Sequence, residues 1–139
     1  MIKELSIFVQ NQKGKLSIIS RIMSENNISI KGFSVDDTGE GYGIFRIVVD
    51  YWEKGEEILK KNNFTVSVTD ILAVKIEDKP GSLYKILKIL SDKKINLEYT
   101  YLLANSIIGI KLDNEPLAIQ VLRENNIELI ENNLSIWKD

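Results

Sequence analysis

The chain repeats itself, and that repeat constrains its folding more than any other feature. An offset of 67 residues lays Gly14 on Gly81, Leu16 on Leu83, Ile19 on Ile86, Ile22 on Ile89, Ser24 on Ser91 and Ile28 on Ile95. Met23 on Leu90 and Ile30 on Leu97 exchange one apolar residue for another. Further along, the offset falls to 63, laying Ile44 on Ile107, Ile47 on Ile110, Asp50 on Asp113, Leu59 on Leu122 and Asn62-Asn63 on Asn125-Asn126. A shorter loop in the second copy accounts for the change, because loops tolerate length differences that strands and helices do not. Two copies of one supersecondary unit are therefore expected, residues 1–70 and 71–139.

Each copy reads as strand, helix, strand, strand, helix, strand. Leu5 to Val9 and Leu72 to Ile76 alternate as first strands. Leu83, Ile86, Leu87 and Leu90 form a helical stripe in copy two, as Leu16, Ile19, Ile22 and Met23 do in copy one. Asn26-Asn27 and Lys93-Lys94 end these helices. Second strands fall near 28–35 and 95–103, third strands at 44–50 and 107–113, second helices at 53–61 and 116–124. Pro116 suits a first helical turn, where its missing N–H costs nothing. Fourth strands are expected at 65–68 and 128–130. The fold class is α+β: two ferredoxin-like βαββαβ units, each an antiparallel sheet with helices on one face. The tail Leu134-Ser135-Ile136-Trp137 echoes Leu5-Ser6-Ile7-Phe8 and predicts an extra strand near 134–138.

Composition removes several classes of function. Eighteen basic and 20 acidic residues leave a net charge of −2, which gives no field to gather nucleic acid or an anionic membrane. Without Cys there are no disulfides or zinc thiolates, and without His the commonest metal ligand and general base are missing. No metal site, cofactor or catalytic residue is assigned. No apolar run approaches the ~20 residues of a membrane helix. The opening Met1-Ile2-Lys3-Glu4-Leu5 lacks the basic-then-apolar pattern of a leader, so a cytoplasmic location is expected.

The loop between first strand and first helix is the strongest candidate site. In copy two it reads Asp78-Lys79-Pro80-Gly81-Ser82-Leu83, and in copy one Asn11-Gln12-Lys13-Gly14-Lys15-Leu16. This pattern resembles the ACT-domain family, small regulatory modules in which a strand is followed by Asn or Asp, one residue, Pro-Gly, one residue and Leu opening a helix. Copy two matches at Asp78, Pro80, Gly81 and Leu83. Copy one keeps Asn11, Gly14 and Leu16 but carries Lys13 in place of Pro. The resemblance spans the chain twice and implies a free-standing tandem ACT protein. It further implies an amino acid or similar small effector as ligand, and a second polar contact early in the second strand, at Asn96 or its counterpart Ser29.

Glycine lets a ligand approach the backbone, and a helix start presents unpaired N–H groups to a carboxylate. Asp78 or Asn11 could accept from an ammonium group. Asp78, Pro80, Gly81, Ser82, Leu83 and Asn96, with Asn11, Gly14, Lys15, Leu16 and Ser29, are the candidate ligand-binding residues. An ordinary strand-to-helix turn fits the same residues, and Asn96 could equally be a polar residue facing water. Copy two is expected to prefer a zwitterion. Lys13 and Lys15 make the copy-one loop more cationic, suited to weak binding, an anion or nothing.

Other signals read as structure. Gly39-Glu40-Gly41-Tyr42-Gly43 precedes a strand rather than a helix and reads as a hairpin turn. Tyr99 and Tyr101 share a strand face and read as packing rather than base stacking. Glu56-Glu57 and Lys60-Lys61 form i, i+4 pairs on a solvated helix face. The expected protein is a non-enzymatic sensor, most simply a homodimer, that transmits ligand binding to a partner protein, such as a regulated enzyme, or to an oligomer interface; the rival is an interaction or regulatory-subunit module without a ligand.

Overall fold

Strands and helices alternate in the expected order: β1 (Ile2–Gln10), α1 (Lys15–Glu25), β2 (Ile30–Asp37), β3 (Tyr42–Val49), α2 (Trp52–Lys61), β4 (Thr65–Lys75), α3 (Ser82–Asp92), β5 (Leu97–Leu103), β6 (Ile107–Leu112) and α4 (Glu115–Glu124). The structure, a computed structural model, describes residues 1–10 and 12–137. It divides into two units, Lys3–Thr69 and Asp70–Asp139 with Met1–Ile2.

In the first unit β3 lies between β1 and β2, antiparallel to both, with Leu5 opposite Ile47 and Phe33 opposite Ile47 from the other side. In the second unit β6 lies between β4 and β5 in the same way, with Leu72 and Thr100 both opposite Ile110. Alternation along each strand sends one set of side chains under the helices. Leu5, Ile7, Val9, Phe45, Ile47 and Val49 meet Ile19, Ile22, Met23 and Leu59 in the first core. Leu72, Val74, Ile108, Ile110 and Leu112 meet Ile86, Leu90, Ala118, Val121 and Leu122 in the second.

All four helices end by the same device. The residue after each C-cap turns left-handed: Asn27 (φ 57°), Asn63 (φ 67°), Lys94 (φ 57°) and Asn126 (φ 59°). The next N–H reaches back to the carbonyl five residues earlier: Ile28 to Met23 (2.9 Å), Phe64 to Leu59 (3.0 Å), Ile95 to Leu90 (3.1 Å) and Ile127 to Leu122 (3.0 Å). Each such pair is apolar, which completes a Schellman end with its hydrophobic contact. Asparagine tolerates the left-handed region; lysine does so poorly.

Three details depart from the sequence reading. The fourth strand of copy one and the first of copy two are one strand, the 11-residue β4. Thr69-Asp70-Ile71, between them, contains neither Gly nor Pro to break the extended run. The expected strand at 128–130 is reduced to a single bridge, Val74 with Leu129, flanked by Lys75 N–H to Glu128 O (3.0 Å) and Ile130 N–H to Ala73 O (2.8 Å). The expected C-terminal strand is a 3-10 helix, Asn133–Trp137, and the remainder of that stretch lies outside the described residues. Asn132 Oδ1 accepts from both the N–H (3.0 Å) and the Oγ (3.1 Å) of Ser135, a local bond that competes with strand pairing. Ile136 is nonetheless buried, and its carbonyl accepts from Asn105 Nδ2 at 2.7 Å.

On the sheet face away from the first unit's helices, Glu4 is fully buried. Arg46 stands 4.0 Å from its carboxylate, and Ser6 Oγ donates to it at 3.2 Å. Arg46 also pairs with Asp36. The repeat places Ile71 and Gly109 at the positions of Glu4 and Arg46, and a Cβ on Gly109 would lie 3.0 Å from Ile71 Cδ1.

Lys94→Gly removes a left-handed residue with a Cβ, and urea unfolding should show a gain of about 0.5–1 kcal/mol, the strain relieved less the chain entropy that glycine adds. Arg46→Gly takes the guanidinium from beside the buried Glu4 carboxylate and should cost up to about 3–5 kcal/mol, while Glu4→Ile with Arg46→Gly, the combination already present in the second unit, should recover most of that loss.

Candidate functional site

In the second unit β4 leads through residues 76–81 into α3. Gly81 occupies the N-cap position at φ 90°, with no side chain capping the helix. Its carbonyl accepts from Lys85 N–H at 2.9 Å, and Ser82 N–H reaches Lys79 O at 3.3 Å. Gly14 repeats this geometry at the start of α1, at φ 84° and again without a side-chain cap. Neither glycine has a heavy atom within 4 Å of where a Cβ would stand, so both turns are open on that side.

Two clefts flank the second unit's loop. One, of about 410 Å³, is lined by Pro80, Gly81, Ser82, Lys85, Asn126 and Glu128 among others. The other, of about 360 Å³, is lined by Asp78, Lys79, Ser82, Leu83, Leu102 and Ser106 among others. The predicted residues are thus split: Pro80 and Gly81 face the first cleft, Asp78 and Leu83 the second, and Ser82 both. Ser82 Oγ is buried without a hydrogen-bond partner. A 2.7 Å hydrogen-bonded ion pair with Lys79 holds the Glu77 carboxyl below its ordinary value, and the same contact raises Lys79.

The first unit has a cleft of about 310 Å³ at the equivalent place. Gly14 lines it from the loop, Lys15 and Leu16 from the start of α1, Val35, Asp36 and Asp37 from β2, and Gly43 from β3. Asn11 lies outside the described residues. Asp37 escaped the sequence reading. The signal was present: the 67-residue offset lays Asp37 on Ala104 and Lys15 on Ser82, two charges in one copy where the other has none.

The structure does not bring Asn96 or Ser29 to these loops within their own units. β5 runs parallel to β4, so Asn96, just before β5, stands at the end where β4 enters the unit and the Gly81 loop at the end where it leaves. Asn96 N–H donates to Asp113 Oδ1 (3.1 Å), and Asp113 N–H returns a bond to Asn96 O (3.2 Å). Ser29 and Asp50 repeat both bonds at 3.0 and 3.3 Å. These positions tie strand entry to the end of the third strand.

The glycine-rich turn and the helix-surface charge pairs form as expected, and the two tyrosines lie against each other. Gly39 and Gly41 take positive φ in the β2–β3 turn, Tyr99 stacks on Tyr101 at 6.4 Å, and Glu56 and Glu57 each pair with the lysine four residues on at 3.1 Å. Among the described residues no group of three acidic, His or Cys side chains could hold a metal ion, and no helix is long and apolar enough to cross a membrane.

A family model described as an ACT domain pair matches residues 1–136. A crystal structure of a Bacteroides thetaiotaomicron protein superposes with a TM-score of 0.89 at 29% identity, covering 99% of this chain and 96% of that one. The ligand-free regulatory subunit of aspartate kinase from Thermus thermophilus superposes with a TM-score of 0.64 at 14% identity, covering 88% and 90%. The corresponding subunit from Thermus flavus gives 0.61 at 12%, with the same coverage. No curated protein matches the sequence.

Because each loop glycine has open space beside it, replacing it should strain the backbone without filling the cleft. Gly81→Ala and Gly14→Ala should each lower stability by about 1–2 kcal/mol in chemical unfolding, the cost of a left-handed L-residue.

Proposed function

The chain belongs to the ACT domain pair family, and from that premise we propose that it is a regulatory module that binds a small amino-acid-like effector and transmits the binding to a protein partner. The observation that carries this reading is the duplicated open turn: a left-handed glycine leading into an uncapped helix beside a cleft, once in each unit. An uncapped helix start offers N–H groups and the positive end of a dipole to a carboxylate. In the second unit Asp78 lines one of the two clefts beside the loop, together with Ser82 at the start of the helix, and supplies an acceptor for an ammonium group. Both ends of an α-amino acid have complementary chemistry there. The chain acts by binding rather than catalysis in this reading, and its effector is an amino acid or a close analogue.

The relatives from Thermus are regulatory subunits of an enzyme, aspartate kinase. They share the fold, and they suggest the class of partner: an enzyme whose activity answers to an amino acid. A second reading, an interaction module without a ligand, is favoured by the exposure of large apolar side chains. Phe33 is 62% exposed, Tyr84 67% and Leu102 69%. Such residues suit a second copy of the chain or a regulated enzyme.

A thermal-shift screen against the common amino acids separates the two readings. An effector at 100 times its dissociation constant should stabilise the protein by about 2.7 kcal/mol. Asp78→Ala should weaken binding in the second unit by about 1.5–3 kcal/mol, read by calorimetric titration with the amino acid that the screen selects. A flat screen across all of them favours the ligand-free module.

A further inference from the structure

We infer that the first unit's cleft is the higher-affinity amino-acid site, with Asp37 receiving the ligand's ammonium group and Lys15 its carboxylate. This inference rests on effector binding at the loops and reverses the preference for copy two that the loop motif alone suggests.

The cleft has three sides. α1 begins at Lys15, next to the open turn of Gly14. Across from it β2 ends at Asp37. Alternation places Asp37 on the same face as Val35, whose partner Phe45 belongs to the helix-covered core. Asp37 therefore stands on the helix side of the sheet, whereas Asp36 points away from it and pairs with Arg46. Between the walls lies Gly43, opposite Val9 on one side and Asp37 on the other. A Cβ on Gly43 would lie 2.8 Å from the Asp36 carbonyl oxygen, so this part of the floor must stay bare.

The two charges are available. Among the described residues no ion pair engages Lys15 or Asp37. Asp37 Oδ1 accepts from Gly39 N–H at 2.9 Å, which fixes the carboxylate and leaves Oδ2 for a ligand. A fixed acceptor spends less entropy on binding than a mobile one. The second unit has none of this at the equivalent positions. Ser82 replaces Lys15, Ala104 replaces Asp37 and Ser106 replaces Gly43. Its β5 wall is apolar, formed by Leu102 and Leu103, and its loop lysine, Lys79, is held by Glu77. A zwitterion therefore meets one charged group of the right sign on each wall of a single cleft in the first unit, whereas in the second the charges are divided between two clefts, Asp78 in one and Lys85 in the other.

The test is an amide NMR titration of the full chain with L-alanine, L-leucine, L-aspartate and L-lysine in turn. Gly14 and Gly43 report on the first unit's cleft, Ser82 and Ser106 on the second unit's cleft that holds Asp78. For at least one of the four, the first-cleft resonances should reach half-saturation at a concentration at least 10-fold below that for the second. Asp37→Asn keeps an acceptor for Gly39 and removes only the charge. It should raise the first-cleft midpoint 10-fold or more and leave the second unchanged, as the loss of a charge-assisted hydrogen bond requires. Lys15→Gln, at the opposite wall, should do the same, and serves if Asp37→Asn disturbs the hairpin. A smaller separation between the clefts, or unchanged midpoints in both variants, overturns the inference while the second-cleft response keeps the effector-binding reading alive. No response from either cleft to any of the four overturns both.

Discussion

Three helices of this chain, α1, α2 and α3, return it to a strand after only three or four residues, and a single left-handed residue in each short link makes that possible. Once Asn27, Asn63, Lys94 or Asn126 adopts positive φ, the following apolar residue is drawn back over the last helical turn. That contact sets the angle at which β2, β4 and β5 leave their helices. The angle sets which residue enters the sheet first, and hence which face of the strand lies under the helices. Cores, register and the position of the loop clefts all inherit this choice.

Much of the architecture was legible because the repeat supplied two readings of every element. A helical stripe that is ambiguous once is persuasive when the same spacing recurs 67 residues later. What escaped was what the repeat cannot encode. The continuity of β4 depends on the absence of a breaker at Thr69-Asp70-Ile71, where two similar motifs invited a boundary. The C-terminal segment copies a strand motif yet turns into a 3-10 helix, because Asn132 captures Ser135 locally. At the candidate site, Gly14, Gly81 and Asp78 were visible in the loop sequence. Asp37 was not, because it sits 26 residues from Asn11 and only strand pairing brings the end of β2 beside the loop. Early-strand Asn96 and Ser29 were drawn from the resemblance, and within their own units the topology sends them to the far end.

Duplication also lets two halves solve one packing problem differently. Glu4, Ser6 and Arg46 form a buried polar group where Ile71, Ala73 and Gly109 form an apolar one. The desolvation cost of a buried ion pair nearly cancels its attraction, so the two solutions are close in free energy as wholes but intolerant of mixing. A carboxylate that loses its guanidinium is costly, and an isoleucine in place of Glu4 takes one of its two carboxylates from Arg46. Such positions must change together, whereas a cleft-lining position such as Asp37 or Ala104 can change alone. Divergence between the halves is therefore cheapest at the rim of the clefts, which is where the charges differ.

The unbroken course of β4 bears on how this protein can be taken apart. The boundary between its units falls inside an 11-residue strand, after Thr69, with no linker on either side. Dissection there would leave each fragment only part of β4, Thr65–Thr69 in one and Asp70–Lys75 in the other, and a terminal strand cut so short frays from its neighbours. A frayed strand end of that kind is a template for pairing with other chains. Expressing either half alone thus invites aggregation for reasons unrelated to the soundness of its core, and the intact tandem is the smallest piece in which each half keeps its own strand whole.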